Sequence, residues 1–210
     1  MIFPIAFVEP VLEVKSLQLL YFIAPTDRKV LPNEESDKLQ SEHLNNLQRL
    51  WGERKVLVCG PFGDNAAIRG LCIMDVGSAK NAEKIMEADA WVGKGQLLAQ
   101  AVALEGNAAE FVKVDGLFEM REYWFVTAKP AKKKPSDRDQ AVADRLRLSW
   151  AARGDLLFWG KTKGRDARTV LIFRKMPQEE VAQAVAQLPL GEAEFRPWWT
   201  AKGQFRSETR

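Results

Sequence analysis

Apolar and polar positions alternate along the chain in a way that predicts strands and helices in a fixed order. The first strand is predicted over 17–23, which is rich in Leu and aromatic residues and ends before Pro25. A helix over about 34–51 follows, because four residues recur at spacings of four, four and three on one helical face: Leu39, His43, Leu47 and Leu50. Strands are then predicted over 55–59, 68–76 and 97–104, and a helix over 79–88 that Ser78 can cap. The order is β-α-β-β-α-β.

The second half of the chain repeats this order. Strands are predicted over 123–128, 155–159, 168–174 and 194–201, and helices over 137–153 and 177–188, the first capped by Asp137. Three pairs of like residues lie 103, 102 and 100 positions apart: Phe22 and Phe125, Leu44 and Leu146, Gly60 and Gly160. This pattern indicates an internal duplication, with repeats near 15–106 and 119–205 joined through 106–116.

Each β-α-β-β-α-β unit predicts an α+β, ferredoxin-like arrangement. Its four antiparallel strands carry helices on one face and leave the other face bare. Two tandem units on one chain can cover each other by packing sheet to sheet, as an intramolecular dimeric α+β barrel. The second repeat would then supply the partner that a single repeat must recruit by dimerising. The sequence allows this pseudo-dimer to be a monomer or to form a homodimer.

Composition narrows the classes of partner. The 210 residues are 46% hydrophobic and 28% charged, and the net charge of +3 is too small for the clustered basic face of a nucleic-acid-binding protein. A basic run over 129–134 lacks interleaved aromatic residues and predicts an exposed loop. No apolar run is long enough to span a membrane, and the first residues lack the basic start of a signal peptide. We therefore expect a cytoplasmic protein with no nucleic-acid or membrane partner.

The chain contains one histidine, His43, and two cysteines, Cys59 and Cys72. These counts exclude a metal site of several histidines within one chain and a four-ligand zinc site of His and Cys, and no metal or cofactor is predicted. Any histidine-based acid–base chemistry must use His43. Its place on the apolar stripe of a helix by itself favours a core or boundary histidine that makes one hydrogen bond, and a general acid or base is the other interpretation that stays open.

Four short motifs occur in order and together resemble the YCII-related family. They cover most of 17–105, and each alone is weak: Glu42-His43-Leu44-x-x-Leu47, Gly60-Pro61-Phe62, Gly70, and Ala88-Asp89-Ala90-Trp91-Val92-x-x-Gly95. The family has the ferredoxin-like α+β barrel fold and commonly dimerises through its sheets. The resemblance therefore implies the same fold as the periodicity does.

The resemblance implies a catalytic pair of His43 and Asp89, with Pro61, Phe62 and Trp91 lining the site. A carboxylate beside an imidazole selects its tautomer and makes it a better base. One member of the family resembles a lyase that eliminates hydrogen halide from a chlorinated hydroxyaromatic compound. We expect a cofactor-independent lyase or isomerase that acts on a small aromatic or carbonyl metabolite. The alternative is a non-catalytic module that binds a small ligand or a partner.

The sequence departs from the family pattern at several positions. Ala90 stands where the family has proline, and Gln40 stands where relatives often have arginine. In the second repeat, aligning Gly52 with Gly154 places Arg145 opposite His43, and Leu188 stands opposite Asp89. Arg145 is either an anchor for a substrate anion or an exposed helix residue. The sequence thus predicts one candidate site per chain, in the first repeat.

Overall fold

Eight antiparallel strands form one continuous sheet in the computed structural model, which describes residues 14–107, 111–112, 119–131 and 134–208. The strands are β1 (Val14–Ile23), β2 (Val56–Pro61), β3 (Ile68–Met74), β4 (Leu98–Asn107), β5 (Met120–Pro130), β6 (Leu156–Thr162), β7 (Thr169–Arg174) and β8 (Leu190–Ala201). The helices are α1 (Asn33–Gly52), α2 (Ala79–Met86), α3 (Ala90–Gly93), α4 (Asp137–Ala152) and α5 (Gln178–Ala186). A short 3-10 turn, Arg206–Glu208, follows β8.

The strand order is β2-β3-β1-β4-β6-β7-β5-β8, so each half of the chain contributes four neighbouring strands in equivalent order. The predicted α+β fold of two ferredoxin-like units is confirmed. The half-sheets join where β4 pairs with β6 at Leu104↔Thr162, Glu105↔Lys161 and Gly106↔Gly160. This junction is short, so the rest of each half-sheet is free to curl around the space between the two halves.

The two outer strands, β2 and β8, meet and close the curled sheet. Phe62, just after β2, forms an isolated bridge with Trp198 on β8. The Trp198 indole Nε1 donates to the Gly60 carbonyl oxygen at 3.0 Å, and Thr200 Oγ1 donates to the Cys59 carbonyl oxygen at 2.7 Å. Side chains of the second repeat therefore satisfy backbone acceptors at the edge of the first, where an open sheet would expose them.

Alternation along the strands divides the apolar residues between two faces. On β1, Leu17 and Leu19 point into the cluster between the half-sheets, while Leu20 and Phe22 pack with the helices of the first repeat. On β5 the same division sends Tyr123 and Phe125 inward, and Trp124 and Val126 towards the helices of the second repeat. The inner cluster contains residues of both repeats, so each repeat covers the bare sheet face of the other.

An ion pair between buried Arg196 and Asp64, which is 30% exposed, also joins the repeats beside the closure. Arg196 on β8 donates from Nε and Nη2 to the two carboxylate oxygens of Asp64, each at 2.7 Å, and Nη2 also donates to the Ile68 carbonyl oxygen at 2.9 Å. The guanidinium lies over the Phe62 ring, 3.6 Å from its centroid. Hydrogen bonds from Arg196 outweigh burial and lower the pKa of Asp64 to about 2.

Several predicted boundaries need correction. Ser136, rather than Asp137, caps α4: its hydroxyl accepts from Asp139 N at 3.2 Å, and the Asp139 carboxylate accepts from Ser136 N at 3.0 Å. Ser78 caps α2 as expected, accepting from Asn81 N at 3.1 Å. The helix predicted over 79–88 ends at Met86, and a separate short helix, α3, follows.

The alignment of the two repeats also needs correction. Arg54 and Gly154 follow the first helix of each repeat with φ angles of 60° and 72°, so the same left-handed turn contains glycine in one repeat and arginine in the other. The residues that follow make the same backbone hydrogen bond: Lys55 N donates to Leu50 O, and Asp155 N donates to Trp150 O, both at 2.9 Å. The helices therefore match at an offset of 100 rather than 102. Ala143, and not Arg145, lies opposite His43.

The pairing of Phe22 with Phe125 is wrong for a related reason. Phe22 packs on the helix side of its half-sheet, and Phe125 packs between the half-sheets. Leu19 pairs with Ile73 on β3, and Phe125 pairs with Ile172 at the equivalent position on β7. Leu19 is therefore the equivalent of Phe125. The duplication is visible in the order of elements, while the residue offset changes from element to element.

Some expectations fall on residues that the structure does not describe. These are residues 1–13, Lys132 and Lys133 of the basic run, and most of the joint over 106–116. Within that joint, Phe111 is buried and forms an isolated bridge with Phe205. Among the helices of the described residues, none combines the length and apolar character that crossing a membrane requires.

Replacing Gly60 with alanine should weaken the closure between β2 and β8. A Cβ at Gly60 would overlap the backbone carbonyl of Trp199, which a small side-chain movement cannot relieve. We expect Gly60→Ala to lower the free energy of unfolding by about 1–3 kcal/mol, measured by urea denaturation. Gly52→Ala is the control, because a Cβ there meets nothing within 4 Å and alanine favours a helix. Equal stability of the two variants would contradict this account of the closure.

Replacing Asp64 with asparagine should leave the Arg196 charge buried without its partner. We expect a loss of about 2 kcal/mol or more at neutral pH. Because the pKa of Asp64 is lower in the folded chain than in the unfolded chain, its stabilisation is complete above about pH 4 and is lost as pH falls through about 2. Between those pH values, the free energy of unfolding should change less steeply with pH for Asp64→Asn than for the wild type, as measured by denaturation at a series of pH values. Glu192→Gln, which breaks an exposed pair with Lys129, should change little.

Candidate functional site

The candidate site begins on α1, whose buried stripe contains the one histidine. Leu39, Leu47 and Leu50 are buried on this stripe, as the spacing predicts. His43 lies among them at the edge, with 13% of its side chain exposed. Its ring makes a T-shaped contact with the ring of Phe22 on β1, with centroids 5.4 Å apart and an interplanar angle of 81°. The imidazole is thus held in place by the sheet and still reaches solvent.

Asp89 reaches His43 from the short segment between α2 and α3. It caps α3, accepting from Trp91 N to Oδ1 at 3.2 Å, and its side chain is fully buried. Its other oxygen, Oδ2, faces α1 and makes two bonds, to His43 Nδ1 at 2.7 Å and to Asn46 Nδ2 at 3.0 Å. Both carboxylate oxygens therefore have donors, which is the condition for keeping a buried carboxylate charged.

The same bonds determine the charge of Asp89. Burial raises the pKa of its carboxyl, but hydrogen bonds and charge from His43, with further bonds from Asn46 and the Trp91 backbone, lower the pKa below its ordinary value of 3.8. Asp89 is therefore ionised at neutral pH and can only accept hydrogen bonds. The proton between the two side chains lies on His43 Nδ1.

This arrangement leaves His43 Nε2 for chemistry. A neutral imidazole with its proton on Nδ1 carries a lone pair on Nε2. No hydrogen bond joins Nε2 to any residue that the structure describes, and part of the side chain is exposed. A buried carboxylate, an oriented imidazole and a free basic nitrogen together can abstract a proton and stabilise the resulting imidazolium.

Trp91 lies beside Asp89 and borders the candidate site. Its ring is mostly buried, and its Nε1 donates to Gln40 Oε1 on α1 at 3.1 Å. Arg28, in the segment before α1, lies over the ring with its guanidinium carbon 5.2 Å from the centroid. The Arg28 Nε also donates to Gln96 Oε1 at 3.1 Å. Gln40 thus holds the indole from α1, and Arg28 places a cation beside the ring from the segment before α1.

Three of the six predicted site residues lie together, and three lie elsewhere. His43, Asp89 and Trp91 form the group just described. Phe62 packs between the half-sheets against Phe125, on the opposite face from the helices, and Pro61 is exposed at the end of β2. Arg145 is exposed on α4 in the second repeat. The motif containing Pro61 and Phe62 therefore supports the barrel closure instead of the site.

Sequence reasoning missed Asn46 and Arg28 as site residues. Asn46 lies three positions after His43, so helical spacing alone places both on one face and could have identified it. Arg28 lies in an irregular segment before α1, where no periodicity predicts a direction. Its contact with Trp91 depends on how that segment folds back over α3.

The buried thiol of Cys72 is a poor candidate for a nucleophile. Cys59 and Cys72 face each other across β2 and β3 and are both free. Burial, with the Cys59 thiol and the Asp89 charge, holds the pKa of Cys72 well above its usual range. Such a thiol stays protonated and unreactive at neutral pH. In the ranges described, no three His, Cys, Asp or Glu residues are grouped so that they could hold a metal ion.

Replacing Asp89 with asparagine should change both the tautomer of His43 and the acid stability of the chain. Because the pKa of Asp89 is lowered in the folded state, its stabilisation is present above about pH 4 and is lost as pH falls through the folded-state pKa. Asp89→Asn should therefore flatten the decline in unfolding free energy at acid pH. With one histidine per chain, ¹⁵N NMR reads the tautomer directly, and the preference for the Nδ1 proton should disappear in the variant. Asp37→Asn, an exposed carboxylate on α1, is the control, and an unchanged tautomer in Asp89→Asn would contradict the geometry.

Comparisons with known proteins bear on the fold. No protein-family model matches the chain, and no curated protein sequence matches it. A solved mutant chlorite dismutase from Candidatus Nitrospira defluvii is similar to it with a TM-score of 0.58 and 12% identity, covering 88% of this chain and 90% of that one. A candidate monooxygenase from Lactobacillus acidophilus gives a TM-score of 0.51 and 8% identity, covering 90% of this chain and 96% of that one. The chain therefore has the dimeric α+β barrel fold of these proteins.

Proposed function

We propose that the chain is a small-molecule enzyme that works by acid–base catalysis without a cofactor, as a lyase or an isomerase. The observation that carries this proposal is the 2.7 Å bond between buried, ionised Asp89 and the partly exposed imidazole of His43. A similarity to the YCII-related family, which rests on the motifs around these two residues, points to the same pair. The solved structures of similar fold support a scaffold for small molecules and no particular reaction.

In the proposed reaction, His43 Nε2 takes a proton from a saturated carbon next to a carbonyl group of the substrate, which in a hydroxyaromatic compound is a ring carbon of its keto tautomer. The C–H electron pair moves into the substrate and forms an enolate or its aromatic equivalent. In an elimination, this pair expels a leaving group such as chloride from the neighbouring carbon. In an isomerisation, the imidazolium returns the proton to another carbon. Either way the proton and the electron pair are accounted for, and neither a metal nor an oxidant is needed.

Asp89 acts through His43 in this proposal. It holds the proton on Nδ1 so that the lone pair faces the substrate, and its charge stabilises the imidazolium. Asn46 and the Trp91 backbone keep the carboxylate oriented by two further bonds. Trp91 forms one wall, and Arg28 supplies a cation for an acidic substrate or an enolate. A small aromatic or carbonyl compound suits this set of groups.

The proposal is tested by hydrogen exchange in D₂O, because a base that removes a C–H proton returns deuterium. A panel of small ketones, keto acids and hydroxyaromatic compounds is followed by ¹H NMR, and chlorinated hydroxyaromatic compounds by chloride release. We expect His43→Ala to reduce turnover of an active compound by about 10²- to 10⁴-fold. We expect Asp89→Asn to reduce kcat by about tenfold or more with a shifted pH profile.

Gln48→Ala, an exposed change on the same helix, is the matched control and should keep full activity. Activity that survives His43→Ala in a folded protein would refute the role of His43. Binding of panel compounds without exchange or chloride release would favour the second candidate function, a non-catalytic module for small ligands. A specific observation supports that candidate, since a cavity of about 300 Å³ lies in the second repeat, away from the pair.

A further inference from the structure

A cavity of about 300 Å³ lies between α4, the ends of β5 and β6 and the starts of β7 and β8. Its apolar wall is formed mainly by Pro130, Ala143, Leu188, Pro189 and Leu190. An engineered cavity of roughly 150 Å³ is large enough for benzene. The space in the second repeat therefore suits a compound with a single ring or a short branched chain and one polar group.

This cavity occupies the position that corresponds to the His43 site of the first repeat. Ala143 stands opposite His43 in the corrected alignment of the two helices. Leu188 stands opposite Asp89, because Leu188 N bonds to Val185 O as Asp89 N bonds to Met86 O, each at 3.0 Å.

A missing element enlarges the difference between the repeats. In the first repeat, α3 follows Asp89, and Trp91 packs into the space beside it. In the second repeat, β8 begins at Leu190, two residues after Leu188, so no equivalent of α3 or of its tryptophan is present. By this alignment, the cavity lies on the side of the second repeat where the first repeat carries the imidazole ring and the indole.

Four cations line the cavity or its rim: Lys134, Arg147, Lys161 and Arg168. Among the described residues that line the cavity, none is acidic. Arg147 is held by its neighbours: 11% of its side chain is exposed, it forms an ion pair with Asp144, and its guanidinium carbon lies 4.9 Å from the centre of the Trp159 ring. The aromatic ring and Asp144 hold one face and one edge of the guanidinium, and the remaining donors can serve a ligand.

We propose that this cavity binds a small organic anion, a carboxylate carried on a compact apolar body. The apolar part of the ligand packs against the apolar wall. Its carboxylate pairs with Arg147, and the other cations at the rim add to the attraction. A neutral compound of the same shape would lose the ion pairs, and a purely inorganic anion would leave the apolar wall uncovered. The combination of one apolar wall and one cationic side is therefore selective for amphipathic anions.

The test uses benzoate as the probe, with benzamide as its neutral match, and titrations followed by calorimetry or saturation-transfer NMR. We expect benzoate to bind at least about tenfold more tightly than benzamide, and more weakly as salt is added. Arg147→Met, which keeps most of the side-chain length, should weaken benzoate binding by about tenfold or more. Ala143→Leu should abolish binding by filling the cavity.

Arg145→Met is the matched control, since Arg145 is exposed on the same helix two residues away, and it should bind benzoate as the wild type does. His43→Ala should also bind benzoate normally, which separates this site from the proposed catalytic pair. If Arg147→Met does not fold, Arg168→Met tests the same cationic side. Equal binding of benzoate and benzamide, unchanged binding in folded Ala143→Leu, or loss of binding in His43→Ala would each overturn the proposal.

Discussion

Each half of the sheet can keep its inner apolar face out of water only by lying against the other half. Leu17 and Leu19 of the first repeat meet Tyr123 and Phe125 of the second in a single buried cluster. Burying such side chains is worth roughly 2 kcal/mol each relative to exposure, and no helix is available on that side. Three other links between the repeats lie around this contact: the β4–β6 junction, the closure by Trp198 and the ion pair of Asp64 with Arg196.

Because the sheets fulfil this structural requirement on one face, the opposite face of each repeat has been free to diverge. In the first repeat, the helix-side space is filled by an ionisable pair and an indole ring. In the second, Ala143 and Leu188 stand in those places, and a cavity with a cationic side remains. The same backbone thus carries a hydrogen-bonded histidine–aspartate pair in one half and a cavity in the other.

The order of elements and the His43 stripe were predictable, because apolar periodicity reports which face of a helix or strand is buried. The contact between His43 and Asp89 came from motif resemblance, since residues 46 positions apart carry no local signal of contact. The sequence-based alignment of the repeats failed at Arg54. Glycine is the usual residue at a left-handed position after a helix, but the first repeat has arginine there. The cavity was not predictable, because it results from an absent helix and a small side chain, Ala143, that marks no function.

The covalent link between the repeats changes how the barrel responds to dilution. A barrel made from two separate chains dissociates when protein concentration falls below its dissociation constant, and its stability then depends on concentration. Here the short segment between β4 and β5 keeps the partner sheet at a high local concentration whatever the amount of protein. The inner cluster of aromatic side chains is therefore retained in a scarce protein as fully as in an abundant one.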